Sequence, residues 1–133
     1  MSQENVEIIH RGYEAMRRRD LHALLGVMHP EFEGTFRILE VEGVVYRGHE
    51  GMRRFAEEVW SVFPDWQPEV EDARVVGEET LVTKVRGAGR GVGSGAELDM
   101  TAWQVVRFRE GKVIAMHGYP TEAEALEAAG LSE

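Results

Sequence analysis

Proton transfer near neutral pH is the natural work of histidine, and the chain has five: His10, His22, His29, His49 and His117. None stands in an H-E-x-x-H frame, because His49-Glu50 has no second histidine one turn further on. His29, Glu31 and Glu33 have the donor types of a hard-metal cluster. On a strand, however, the two carboxylates share one side and Phe32 takes the other, as in a solvated edge, so no metal site is expected. The absence of cysteine removes thiol catalysis, thiolate ligation and disulfides together. Gly91, Gly93 and Ala96 satisfy G-x-G-x-x-A, but a dinucleotide loop must open a helix, and a strand pattern follows here instead. Ser94 is not in a G-x-S-x-G elbow. No cofactor is expected.

A small-molecule pocket is the chemistry that remains. Tyr13, Phe36, Phe55, Trp60, Phe63 and Trp66 supply aromatic surface for a space between helices and sheet, although helical stripes of this kind also fill ordinary cores. Along Glu97 to Arg109 the residues alternate strictly. Leu98, Met100, Ala102, Gln104, Val106 and Phe108 share one face, on which Gln104 alone is polar. A buried amide needs partners, either in the core or in a pocket. The glycines at every second position from Gly87 to Gly95 leave one strand face bare, which makes room for a ligand or bends the sheet.

The elements that must position these residues can be read from periodicity and punctuation. Ser2 opens a helix carrying Val6, Ile9, Tyr13 and Met16. Asp20 caps a second, with Leu21, Leu24, Leu25 and Met28 on one face and Pro30 after its end. Short extended pieces occupy Glu31 to Val45, among them Val41. A third helix from about His49 to Phe63 buries Met52, Phe55, Ala56, Val59 and Phe63. Strands follow: Val70 to Val76, a turn at Gly77-Glu78-Glu79, a strand from Thr80, then Glu97 to Arg109 and Lys112 to Tyr119 joined by Glu110-Gly111. Thr121 and Glu124 form a capping box for a last helix ending at Gly130. Helices first and antiparallel hairpins after make an α+β domain, with no boundary inside residues 1–133.

Composition excludes whole classes of partner. The 133 residues are 43% hydrophobic and 29% charged, which suits one globular core. A net charge of −9 repels nucleic acid and anionic membranes, and the one basic run, Arg17 to Arg19, reads as a solvated helix end. No signal-like or spanning apolar stretch is present, so the expectation is cytoplasmic.

Several stretches, in order and over nearly the whole chain, resemble the SnoaL-like branch of the nuclear transport factor 2-like superfamily. They are Tyr13-Glu-Ala-Met with Arg19-Asp20-Leu21, His29-Pro30-Glu31-Phe32, Tyr46-Arg47-Gly48-His49-Glu50-Gly51, Phe63-Pro64-Asp65, Arg107-Phe108-Arg-Glu-Gly111-Lys112-Val113, and Glu124-Ala-Leu126 with Gly130-Leu131. The resemblance implies a cystatin-like cone, a curved antiparallel sheet wrapped by N-terminal helices around a pocket, commonly dimerised through the outer sheet face. Family members include cyclases, isomerases, dehydratases and non-catalytic binding modules, so fold alone does not assign function. The cyclase aspartate falls on Gly118 and its histidine partner on Gln104. The isomerase donor aspartate also falls on Gln104, its base aspartate near Phe36 and its tyrosine on or beside Tyr13. An amide and a glycine exchange no proton at neutral pH, so neither chemistry carries over residue by residue.

The sequence therefore points to a pocket for a small, largely apolar, cyclic ligand. Tyr13 and Gln104 would be the polar contacts, and Phe36, Phe55, Val59, Met100 and Met116 the walls. Whether the pocket catalyses stays open, against the alternative of a dimeric binding module with a filled cone. Strand parity sends Thr101, Trp103 and Val105 outward, with Val113, Ala115, His117 and Tyr119. Trp103, Val105 and Tyr119 are expected to carry a homodimer, unless the last helix folds back over them.

Overall fold

The computed structural model of the chain describes residues 2–38, 44–93, 95 and 97–130. Val41, Ser94, Ala96 and Leu131, and the Ser2 side chain, lie outside the described residues.

Helix α1 (Ser2–Arg18) buries Ile8, Ile9, Ala15 and Met16 along one side. Arg19 takes a left-handed φ of 58°, and Asp20 Oδ1 then accepts the Ala23 N–H at 3.1 Å to start α2 (Leu21–Gly26). The second helix is shorter than its apolar pattern implies. Met28 and Pro30 already belong to strand β1 (Met28–Thr35), so Pro30 does not act as the helix stop. Proline lacks an N–H, and this one sits where the β1 register jumps between Met28 and Glu33. Within β1, Phe32 is 1% exposed, a burial that stabilises the fold by about 2–3 kcal/mol.

Strand β2 (Tyr46–Arg47) leads into α3 (Gly48–Val62), whose stripe Met52, Phe55, Ala56 and Val59 is buried as its spacing predicts. Strands β3 (Gln67–Gly77), β4 (Thr80–Arg90), β5 (Glu97–Arg109) and β6 (Lys112–Tyr119) follow as hairpins. Glu110 and Gly111 both have positive φ, 56° and 75°, the geometry a two-residue hairpin needs between β5 and β6. The sheet is curved and unclosed, in the order β2-β1-β6-β5-β4-β3. It is antiparallel except where β1 lies parallel to β6.

Helices α1 to α3 cover the inner face around one large apolar cluster. Helix α4 (Glu122–Ala128), capped by Thr121 Oγ1 accepting the Glu124 N–H at 3.2 Å, covers part of the outer face. Ala125 packs there with Val82 and Val105, with Trp103, Tyr119 and Leu126 at the margin. Val105 is thus sealed within the chain at 3% exposure and is no part of an open outer patch, while Trp103 and Tyr119 stay half-buried. Parity along β6 also differs from expectation. The register irregularity between Arg107 and Phe108 pairs Ala115 with one and Val113 with the other, which leaves Ile114 as an extra residue. Val113 consequently turns inward and is buried.

Among the described residues no helix is long and apolar enough to cross a membrane.

Candidate functional site

A cavity of about 80 Å³ lies between the helices and the inner sheet face. Helix α1 reaches it through Ile8, Ile9, Gly12, Tyr13 and Met16, and α3 through Met52 and Phe55. The sheet contributes Met100, Ala102 and Gln104 from β5 and Val113 and Met116 from β6. Inward alternation along β5 does this, because residues two apart share a face. Phe36 and Phe55 stack at 3.8 Å between ring centroids and form one aromatic wall. Met16, Met28, Met52, Met100 and Met116 all border the same space. These are all the methionines after Met1.

Tyr13 and Gln104, 91 residues apart in sequence, meet inside it: the Tyr13 hydroxyl donates to Gln104 Oε1 at 2.6 Å. Tyr13 keeps some accessible surface because it borders the cavity, but its hydroxyl is enclosed. Burial holds its pKa well above the usual phenol value, and the bond to Gln104 offsets this only partly. Tyr13 is therefore a neutral hydrogen-bonding group at any physiological pH. Gln104 Nε2 has no hydrogen-bond partner among the described residues, so a donor is left over. Turning the amide end for end would instead free the tyrosine O–H, so the pair keeps a spare donor either way. Across from Gln104 on β4, Thr83 is sealed from solvent, and its hydroxyl has no partner among the described residues.

Two glycines shape this interior. A Cβ on Gly87 would lie 2.3 Å from Trp66 Cζ2, so the indole occupies the bare face of β4. The glycine run is there for packing, at least at Gly87 and Gly89, since a Cβ on Gly89 would also lie 3.3 Å from Trp66. Gly118, beside Gln104 in the register, faces Arg37: an added Cβ would come within 3.1 Å of Arg37 Cγ. Gly118, the position expected to match the cyclase aspartate, is thus roofed here by an arginine stem.

Six of the seven expected pocket residues, Tyr13, Phe36, Phe55, Met100, Gln104 and Met116, border this one cavity. Val59 does not. The cavity touches α3 only through Met52 and Phe55, and Val59, a turn further on, has no exposed surface. Of the other aromatics, Trp66 lines the cavity whereas Trp60 and Phe63 pack outside it. His117 points away, as its parity requires, with Nδ1 2.9 Å from Thr35 Oγ1 and Nε2 3.4 Å from Glu33. Glu33 also accepts from Arg47, and His29 pairs with Glu110 at 2.9 Å, so His29, Glu31 and Glu33 do not converge. Arg37 carries no signal in the sequence, because in an extended segment the neighbour of an inward Phe36 faces away. The chain has left β1 at Thr35, however, and Phe36, Arg37 and Ile38 all border the cavity.

Comparison with solved structures places the fold firmly. An NTF2-like protein of unknown function from Burkholderia pseudomallei is 20% identical with a TM-score of 0.76, over 93% of this chain and 95% of that one. A Catenulispora acidiphila protein with a ketosteroid isomerase-like fold, in complex with trimethylamine, is 14% identical with a TM-score of 0.75, over 94% and 93%. A Mycobacterium tuberculosis protein in complex with estradiol-17β-hemisuccinate is 11% identical with a TM-score of 0.76, over 90% and 95%. No curated protein sequence matches the chain. The SnoaL-like domain model matches residues 9–116, a span that takes in α1 from Ile9, the sheet up to Met116 and both members of the Tyr13–Gln104 pair, and the chain belongs to the SnoaL-like domain family.

Proposed function

We propose that the chain binds a small, largely apolar ring compound carrying one carbonyl or hydroxyl, which it orients by hydrogen bonds and does not turn over by acid–base catalysis. The observation that carries this reading is the Tyr13–Gln104 bond, which leaves a spare donor in a cavity that is otherwise apolar apart from Arg37 at its edge. A few polar groups among apolar walls are the usual composition of a small-molecule site. Among the described residues bordering the cavity there is no aspartate, glutamate, histidine or lysine. Tyr13 is held neutral and arginine is permanently charged, so neither exchanges a proton near pH 7.

Size sets the ligand class. About 80 Å³ is roughly half the ~150 Å³ of an engineered cavity that takes up benzene, so one ring enters only if walls move. The five methionines supply that give, since an unbranched thioether chain repacks at low cost. That the Catenulispora and Mycobacterium relatives hold small molecules is in keeping with this use of the fold.

The test is a thermal-shift titration with acetophenone and with toluene. Acetophenone is expected to raise the melting temperature of the wild type more than toluene does, through preferential binding to the folded state. Gln104→Leu should stay folded and lose the difference between the two. If Gln104→Leu unfolds and neither compound shifts the wild type, Gln104 is a structural amide and the pocket reading fails.

A further inference from the structure

Within the pocket reading proposed above, one bordering residue is out of character. Among the described residues bordering the cavity every other side chain is uncharged, and Arg37 alone carries a full charge. Arg37 keeps solvent-accessible surface, so it stands where the cavity meets solvent. Its stem lies over Gly118, the position at which any larger residue would press on Arg37 Cγ at 3.1 Å. The backbone therefore provides for the arginine to lie across this end of the sheet.

Among the described residues Arg37 is also unpaired. Arginines elsewhere meet carboxylates: Arg47 with Glu33 at 2.9 Å, Arg86 with Asp99 at 2.8 Å and Arg90 with Glu97 at 3.1 Å. Arg37 has no ion-pair or hydrogen-bond partner among the described residues. The guanidinium groups of Arg11, Arg19 and Arg109 share that state, Arg19 lying over the Trp60 ring, but none of the three borders the cavity. In a chain with 24 acidic residues against 15 basic ones, a free guanidinium at an apolar opening stands out. Among the described residues no carboxylate borders the cavity to repel an anion there.

We infer that the ligand is an amphipathic acid, with its ring or chain in the cavity and its carboxylate at the opening, paired with the Arg37 guanidinium. A planar guanidinium presents paired N–H donors that match the two oxygens of a carboxylate. The apolar body takes its free energy from burial, and the ion pair selects the acid over neutral isosteres. Because Arg37 is open to solvent, the selection is modest, about fivefold in affinity, and salt weakens it.

The experiment compares phenylacetate with phenylacetamide by calorimetric titration at low salt, in the wild type and in Arg37→Gln, Arg37→Lys and Gly118→Ala. The ratio of the two affinities is the readout. The wild type should prefer the acid about fivefold. Arg37→Gln should bring the ratio close to one, Arg37→Lys should keep part of it, and Gly118→Ala should lower it by pushing the arginine stem aside. Circular dichroism melts confirm that each variant is folded. A wild-type ratio near one, or a preference that survives in Arg37→Gln, overturns the assignment. If acetophenone binds while the acid shows no advantage, the pocket stands and the anion site falls. If neither acetophenone nor the two phenylacetyl compounds bind, both fall.

Discussion

Gly87 and Gly118 lie on the same inner sheet face, on β4 and β6, with β5 between them, and each leaves a gap that a distant side chain fills. At Gly87 the occupant is Trp66, 7% exposed, and the gap becomes a buried, uncharged wall of the cavity. At Gly118 the occupant is the Arg37 stem, which is open to solvent and ends in a charge beside the cavity. A missing Cβ thus has no functional meaning by itself. What enters the gap decides whether the spot becomes buried packing or a charged edge open to solvent.

The largest effect is expected at Gly87. Gly87→Ala places a Cβ 2.3 Å from a buried indole ring, and overpacking of this kind costs about 1–3 kcal/mol. Gly118→Ala meets only a flexible stem at 3.1 Å and should cost under about 0.5 kcal/mol. Urea denaturation of both variants measures the difference. Equal costs would mean that Arg37 is held as rigidly as Trp66.

A smaller and pH-dependent effect is expected for Tyr13→Phe. Near neutral pH it removes the bond to Gln104 and costs about 1 kcal/mol. The folded-state pKa of Tyr13 is raised, so above about pH 10 the unfolded chain loses the phenolic proton while the folded chain keeps it. The unfolded state then binds fewer protons, and wild-type stability falls as pH rises. Below pH 10 the phenol is neutral in both states and contributes no slope. The wild-type advantage over Tyr13→Phe should therefore shrink by about 1 kcal/mol between pH 9 and pH 11. Tyr46, also raised by burial and by Glu58, titrates in both proteins and cancels. An advantage that does not change with pH would place the Tyr13 hydroxyl in contact with bulk water.

Much of the fold is legible because its signals are local. Strands β5 and β6 have the ends read from sequence, since Glu110-Gly111 must turn and the alternation on either side must pair. Gln104 stands out as the one polar residue on an apolar strand face, and that face does look into the cavity. What the sequence hides depends on geometry that no short window encodes. The extra residue Ile114 reverses the parity of Val113, and the break after Thr35 brings Phe36 and Arg37 to the same space. Trp66 cannot be matched to Gly87 from sequence because the two meet only across the β3–β4 hairpin. Val59 shares a helical stripe with Phe55, but a stripe does not reveal where along it the packing opens. Val105 takes the expected face, and its cover by α4 decides its fate.

Binding in the pocket turns on whether the free donor of the Tyr13–Gln104 pair meets a ligand carbonyl inside the cavity. The Gln104 side-chain amide can be followed by ¹⁵N-resolved NMR during an acetophenone titration, with the signal assigned by its absence in Gln104→Leu. A saturable shift of that amide is expected, weaker with toluene, together with shifts of the Met100 and Met116 methyl groups. A Gln104 amide that stays unmoved while acetophenone shifts residues on the outer face would refute the binding mode.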